Sequence, residues 1–470
     1  MLREVILFLE TIKAGFMTSA TAMQAEENMN NSNPHISNVK ETPLSWLIWS
    51  LGCMFYFYEF LLQVSPGIMQ NELIHAFNIS AQGFGLLGGV YFYSYAGMQI
   101  PAGILLDKLG PHRLITFATL TCAIATLAFA HTNNFQMALV ARFCIGFGSA
   151  FAAVGAMKFA ANWFPAKRFT LLTGLMVAIG MSGAIGGEKP LAAFIHAYGW
   201  RPSFDILGIF GLLLAAAIHF IAQDCPTKHY EKKPGLSLRK SLFETRDNLK
   251  QVLINKQVWL VSTYGGLVFM ATPVFCGLWG VPFLEAKYHV PSETAATLCS
   301  IIFIGWIIGS PSWGLISDKL GRRKPPMIIG SIVAFICLCT VLYSPLSNLN
   351  VIAGLMFLFG LFSAGFLPAF TIIKEISCQK NCATALSFMN MMNMIGIAVA
   401  QPLIGVLLDK LWLKDNPLNS TILERTYTAS QYINAISLLP IGMFIAILLL
   451  PFIKETYCAL PQETNPEKMS

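Results

Sequence analysis

Gly103-Ile104-Leu105-Leu106-Asp107-Lys108-Leu109-Gly110 returns 211 positions later as Gly314-Leu315-Ile316-Ser317-Asp318-Lys319-Leu320-Gly321. The shared core is G-x-x-x-D-K-L-G, and basic residues follow both copies: Arg113 after the first, Arg322, Arg323 and Lys324 after the second. Each copy sits just behind a long apolar block, so a large unit of the chain has been duplicated. Such blocks dominate the sequence. Of its 470 residues 55% are hydrophobic and 12% charged, and the apolar runs last roughly 20 to 25 residues, which a helix needs to cross ~30 Å of hydrocarbon. The chain reads as an all-α membrane protein.

Twelve blocks read as spans, at 45–67, 83–106, 114–131, 135–162, 169–196, 203–223, 257–284, 295–317, 326–345, 349–373, 384–409 and 430–453. With both termini in the cytoplasm, the loops on that side hold 23 Lys and Arg, whereas the opposite side holds Arg201, Lys287, Lys410, Lys414 and Arg425. The positive-inside bias sets that orientation. The polar stretch at 228–250 has six spans on either side. The expected organisation is a tail at 1–43, a six-helix half at 44–223, a central cytoplasmic loop at 224–256, a second half at 257–454 and a tail at 455–470. The first tail has a short amphipathic piece, Val5 to Ile12, and then a polar stretch of disordered composition. The piece is too short to span and no small-residue cleavage pattern follows it, so no signal peptide is expected. Met17 and Met23 are alternative starts.

Several classes drop out. The eleven cysteines lie mostly inside apolar blocks without paired spacing, which excludes a secreted disulfide scaffold. Cys378 and Cys382 have no matching second pair or nearby His, so no metal is expected. The net charge of +7 sits in a few loops rather than on one basic face, which argues against nucleic acid as a partner. There is no H-E-x-x-H, G-x-S-x-G or phosphate-binding loop, so the chain is not expected to be an enzyme or a nucleotide-driven pump, and no cofactor is implied. A receptor would need a larger soluble region than the central loop offers.

Internal duplication of helical halves is the usual build of a secondary transporter, and the paired motif strongly resembles the major facilitator superfamily, whose hallmark it is between helices two and three and between eight and nine. The resemblance covers residues 44–454. Arg142-Phe143-Cys144-Ile145-Gly146-Phe147-Gly148-Ser149-Ala150 is similar to the family's R-x-x-x-G-x-G-x-A pattern on helix four. Trp163-Phe164-Pro165 with Lys167-Arg168, and Gly199-Trp200-Arg201-Pro202-Ser203-Phe204, resemble its turns after helix four and before helix six. The resemblance implies two pseudo-symmetric six-helix halves that rock about a midplane site. It also implies that Gly103, Asp107, Gly110 and Arg113, with Gly314, Asp318, Gly321 and Arg322, form a cytoplasmic latch between the halves. From the residues alone, Gly103 and Gly314 would let helices approach closely, and the basic residues would pair with the aspartates or with helix C-terminal carbonyls; a purely topogenic basic cluster is the bland alternative.

Ionisable residues inside spans are costly and mark cavities or partners. Glu59 lies in span one, Arg142 and Lys158 in span four, and Glu188 and Lys189 near the outer end of span five. Gly52, Phe55, Tyr56, Gln63 and Pro66 fall within about 60° of Glu59 on a helix, giving span one a single polar stripe. Glu59 and Arg142 lie about 4 Å and about 10 Å outward of their span centres, and the resemblance implies that spans one and four both line the central cavity, so a contact between them is the expectation. Burial favours the neutral acid and a guanidinium favours the carboxylate, so making and breaking the contact would load and release a proton; a static buried pair is the competing reading. Lys158, 16 residues beyond Arg142, points about 160° away unless the helix bends. It either snorkels to the interface or binds an anion. Glu188 and Lys189 fit an outer-gate role or a binding role. In span eleven Asn390, Asn393, Ile397 and Gln401 share a face, offering amides to substrate or to neighbouring helices. Tyr91, Tyr95 and Gln99 of span two, Tyr264, Trp279 and Trp306 are candidate aromatic walls or packing groups.

The expected substrate-binding set is Tyr56, Gln63, Arg142, Lys158, Asn390 and Asn393, with Glu59 and Arg142 for protons. An organic anion, amino acid or small peptide-like solute would need one of those cations. Proton-coupled uptake through a monomer in the plasma (inner) membrane is the expectation, with sodium coupling open. The alternative is a proton-driven efflux antiporter, suggested by Gly174, Gly180, Gly183, Gly186 and Gly187, although the proline of the antiporter motif is missing. Glu59 is followed by Phe-Leu-Leu-Gln, so the E-x-x-E-R signature of proton-coupled peptide carriers is absent.

Overall fold

The computed structural model describes residues 41–165, 168–225, 238–378, 381–416 and 425–457. The tails at 1–40 and 458–470, and with them the amphipathic piece, lie outside the described residues. Within them every expected span is helical. Eleven are long and apolar enough to cross a membrane: Pro43–Ile68, Pro111–His131, Phe135–Trp163, Leu171–Tyr198, Trp200–Ile221, Lys256–Tyr288, Ser292–Leu320, Lys324–Tyr343, Leu349–Ile376, Cys382–Asp415 and Ala429–Phe452. Span two, Ala81–Leu109, has 29 residues but is diluted by glycines, tyrosines, Gln82, Ser94 and Gln99, polar groups that the opposite half partly covers.

Local signals set the ends. Thr42 and Ser45 form a capping box ahead of Pro43. Asn134 and Asn348 cap the equivalent spans four and ten through their side-chain oxygens. Pro101 and Pro311 lie inside the unbroken helices of spans two and eight, one residue off the repeat register. The repeat is also visible in packing. One pairs with five, two with four and three with six; seven pairs with eleven, eight with ten and nine with twelve. Adding six to each span of the first half gives the second. Across the halves, two lies on eleven and five on eight, pairs that the same two-fold operation exchanges.

In a membrane this packing rests on close van der Waals fit and not on exclusion of water. A Cβ on Gly146 would stand 2.1 Å from the Tyr91 carbonyl, and one on Gly360 2.0 Å from that of Ile302, so both halves use a glycine at the same helix crossing. Breaks mark the central spans. Span four is two helices, Phe135–Ser149 and Ala152–Trp163, the bend that separates Arg142 from Lys158. Span seven passes through a π-helical segment, Phe275–Trp279, packed on the end of span one; such segments recur at functional sites. The polar stretch between the halves, read from sequence as loop, holds a helix at Leu238–Ile254, rich in Leu, Lys and Arg, all good helix formers.

Candidate functional site

The expected contact between Glu59 and Arg142 is not made; Tyr91 of span two stands between them. Glu59 is 1% exposed, and its Oε1 accepts a hydrogen bond from the Tyr91 hydroxyl at 2.6 Å. Arg142 is fully buried, with its guanidinium 5.0 Å from the centre of the Tyr91 ring, a cation–π distance. Its Nη1 donates to the Leu62 carbonyl at 2.9 Å and its Nε to that of Leu87 at 3.4 Å. The sequence explains the first of these. Pro66 has no N–H, so Leu62 loses the i+4 donor a helix would supply, and its carbonyl accepts instead from Arg142 and from the Ser65 hydroxyl at 3.0 Å. Glu59 Oε2 and Arg142 Nη2 have no hydrogen-bond partner among the described residues. One unused acceptor and one unused donor therefore flank the tyrosine.

The other candidates are arranged around this trio. Tyr56 is half-buried and packs edge-on against Phe60, ring centres 5.0 Å apart. Gln63, on the same stripe, is half-buried too. From Tyr91 the polar track continues to Tyr95, 6.0 Å away between ring centres. It reaches the second half at Gln99, whose Oε1 accepts from Asn390 Nδ2 at 2.7 Å. Asn393 departs from that track: it is buried, its Oδ1 lies against Gly265 of span seven and lacks a donor among the described residues. Lys158 is half-buried on the separate second helix of span four. Tyr264 bonds Ser331, Trp279 the Gln401 carbonyl and Trp306 Thr272, so these three hold helices together.

The repeated motif is built differently from the expectation. Gly103 and Gly314 face open space, since a Cβ on either would meet nothing within 4 Å; the close approaches fall on other glycines. Gly110 and Gly321 have φ of +84° and +61°, values that favour glycine and turn the chain into the next span. Arg323, and not Arg322, pairs with Asp318 at 2.6 Å, because the turn at Gly321 aims Arg323 back along span eight. Arg323 also binds Glu375 at 2.8 Å and Ser317 at 3.0 Å. These partners belong to its own half and brace spans eight, nine and ten. Arg322 lies over the Tyr457 ring. In the first half Asp224 takes the corner, accepting from the His112 N–H at 2.9 Å; Arg113 is exposed, and the Asp107 side chain lies outside what is described.

What the sequence reading missed is a closure between the halves on the side away from the termini. Ala81 and Gln82 open span two with N–H groups that a helix cannot satisfy itself. Asp409, from span eleven, accepts from the Gln82 N–H at 2.9 Å, and the Tyr427 hydroxyl accepts from that of Ala81 at 3.1 Å. Tyr427 and Arg425 in turn donate to Asp409 Oδ1 at 2.6 Å and 3.0 Å. Nearby Tyr432 bonds Gln70 at 2.8 Å, and Phe84 stacks edge-on against Trp279. Backbones touch here as well: a Cβ on Gly405 would lie 2.2 Å from the Ala81 carbonyl, and one on Gly85 2.5 Å from that of Gln401. An acid at the end of span eleven and an arginine 16 residues on were the available signal.

The sequence pattern of the Major Facilitator Superfamily matches residues 48–284 and 274–457. The chain belongs to this family. The Major Facilitator Superfamily fold is seen again in the crystal structure of a bacterial homolog to the human lysosomal transporter Spinster, inward-facing and unoccupied. That structure superposes with a TM-score of 0.68 at 17% identity, over 88% of this chain and 96% of the other. Among curated relatives, the probable sulfoacetate transporter SauU of Cupriavidus necator is 21% identical over 59% of this chain and 66% of its own. The lysosomal dipeptide transporter MFSD1 of Danio rerio is 23% identical over 77% and 80%, and the sialic acid transporter NanX of Escherichia coli 27% over 57% and 64%. The match thus spans a little under two thirds of SauU and of NanX. As a Major Facilitator Superfamily member the chain is a multi-pass membrane protein, and these relatives are transporters of small molecules.

Proposed function

We propose that the chain is a proton-coupled symporter for a small organic anion, amino acid or peptide-like solute. The observation that carries the reading is the Glu59–Tyr91–Arg142 trio: a buried acid and a buried base, kept apart by a tyrosine, each with one unused polar atom. Arg142 Nη2 is a free donor suited to a solute carboxylate. Glu59 Oε2 is the place for a proton. A carboxylate arriving at Arg142 draws the guanidinium off the tyrosine ring, and loss of the proton from Glu59 draws it back; substrate and proton thereby share one switch. The polar track through Tyr95, Gln99 and Asn390 carries that switch to the second half. The printed names of the relatives, carriers of sulfoacetate, dipeptides and sialic acid, are all compatible with a carboxylate- or sulfonate-bearing solute.

The basic loops support cytoplasmic termini, which makes the closed side the outer one; a plasma (inner) membrane and a monomeric carrier belong to the same proposal. The glycines of span five, the feature on the side of efflux, have another use: Cβ atoms on Gly180, Gly183 and Gly187 would lie within 2.6 Å of span one. The test is accumulation of radiolabelled amino acids, dipeptides and mono- and dicarboxylates in proteoliposomes, with and without an inward proton gradient. Gradient-driven accumulation of one class, lost in Arg142→Ala, supports the reading. Dye or drug movement against the opposite gradient, without accumulation, replaces it by efflux.

A further inference from the structure

Glu188 takes no part in the trio, and the fold leaves it in an unusual place. Span five breaks at this residue, which has φ −98° and ψ −102° between the helices Phe169–Gly187 and Lys189–Tyr198. Ten residues of helix follow, about 15 Å, so Glu188 lies well inside the bundle and not at its outer edge as its sequence position suggested. It is 0% exposed, and neither carboxylate oxygen has a hydrogen-bond partner among the described residues. The two helices that meet at Glu188 both pack against span eight, across the division between the halves.

Among the described residues its surroundings supply no cation. From span eight it meets Cys299, from the π-helical segment of span seven Cys276, and behind Cys299 lies Glu285. Span one offers Val64 and Leu61 around the adjoining Gly187. On span six Arg201 is engaged by the carbonyls of Ala130 and Thr132 and by Asn133, and Asp205 by His131. Lys189, next in the chain, points out and is exposed. An ionised carboxylate enclosed without a partner costs several kcal/mol or more, whereas the neutral acid in the same place costs much less.

We infer that Glu188 is a second proton-binding site, distinct from Glu59, which must hold a proton for the outer seam to close and gives it up when that seam opens to water. The inference rests on the proposed transport by two halves that rock about a midplane site and gives it a direction: protons outside favour the closed outer side, so the gate shuts on a loaded carrier. Glu59, enclosed by spans one, two and four, reports solute; Glu188, enclosed by spans five, seven and eight, reports closure.

The experiment places spin labels at Tyr198→Cys and Glu293→Cys, exposed positions on spans five and eight. Native thiols other than Cys276 and Cys299 are replaced by serine, and the full chain is held in lipid nanodiscs. Distances are measured between about pH 5 and about pH 8, and one linked proton changes the open-to-closed ratio by up to about tenfold per pH unit. The expected result is opening as pH rises, lost in Glu188→Gln, which stays closed, and kept in Glu188→Asp and in Glu59→Gln. A Glu188→Gln protein that opens with pH like the parent overturns the inference, as does a slope abolished by Glu59→Gln alone. If opening depends on Glu188 while accumulation ignores the proton gradient, the inference stands and the symport reading falls.

Discussion

The Tyr91 hydroxyl donates to Glu59 Oε1 at 2.6 Å while the other face of the same residue carries Arg142, 5.0 Å from the ring centre. One side chain thus satisfies an acid through its edge and a base through its ring. Tyr91→Phe separates the two roles: the ring stays and the donor goes. Leaving Glu59 with both oxygens unpaired costs about 1–3 kcal/mol, so thermal unfolding in detergent moves to lower temperature. The pH profile of uptake shifts as well, because the proton site has lost its hydrogen-bonded neighbour. An unchanged profile would detach Tyr91 from coupling.

At the outer closure Asp409 reaches over to the first turn of span two. A carboxylate at a helix N-terminus contributes about 0.3–2 kcal/mol, here only while the halves are together. Asp409→Asn therefore shifts the population toward the outward-open state by roughly two- to thirtyfold. Labelling of a cysteine placed at Phe84, buried against Trp279 in the closed form, rises accordingly. Tyr427→Phe acts in the same direction.

Two glycines with equally short Cβ approaches respond differently. Gly183→Leu collides with the Phe57 carbonyl inside one half, and Gly405→Leu with that of Ala81 across the halves, each from a Cβ 2.2 Å away. The first change prevents span five from seating on span one, so expression and thermal stability fall. The second leaves each half intact but keeps the outer side from closing. Folded protein is recovered, transport is lost and the Phe84→Cys reporter labels fully.

Glu455 closes the corner at the opposite end, accepting from the N–H groups of Arg323 and Lys324 at 2.8 and 2.9 Å. Burial pushes its acidity down, but these N–H groups, with those of Thr456 and Tyr457, prevail and hold the carboxyl below the usual glutamate range. A depressed folded-state value contributes stability that is complete above the unfolded value and disappears as pH falls through the folded one. Glu455→Gln accordingly lowers the melting temperature at neutral pH, and the gap between variant and parent narrows under acid conditions below the ordinary glutamate range.

Much of this molecule is legible in its sequence for a physical reason: a bilayer demands long apolar helices, and a duplicated chain shows its repeat. The octets at 103 and 314, the twelve blocks and the cations in the loops suffice for the architecture. The site was half legible. Glu59 and Arg142 stand out because charges in hydrocarbon are expensive, but the tyrosine between them is one of many aromatic residues and carries no such mark. Pro66, which frees the Leu62 carbonyl for Arg142, was read only as part of a stripe. Asp409 went unread because it lies at a span end, where acids are common and cheap; its importance comes from a partner 327 positions away. The choice of Arg323 over Arg322 depends on the backbone at Gly321, which spacing does not reveal.

The central claim is that Glu59 carries the coupled proton, and the direct measurement is paired transport by Glu59→Gln in proteoliposomes: accumulation driven by an inward proton gradient, and gradient-free exchange of labelled for unlabelled solute. The account predicts that accumulation disappears while exchange persists, because the neutral amide preserves the shape of the site and removes its proton. Gradient-driven accumulation equal to that of the parent would contradict it.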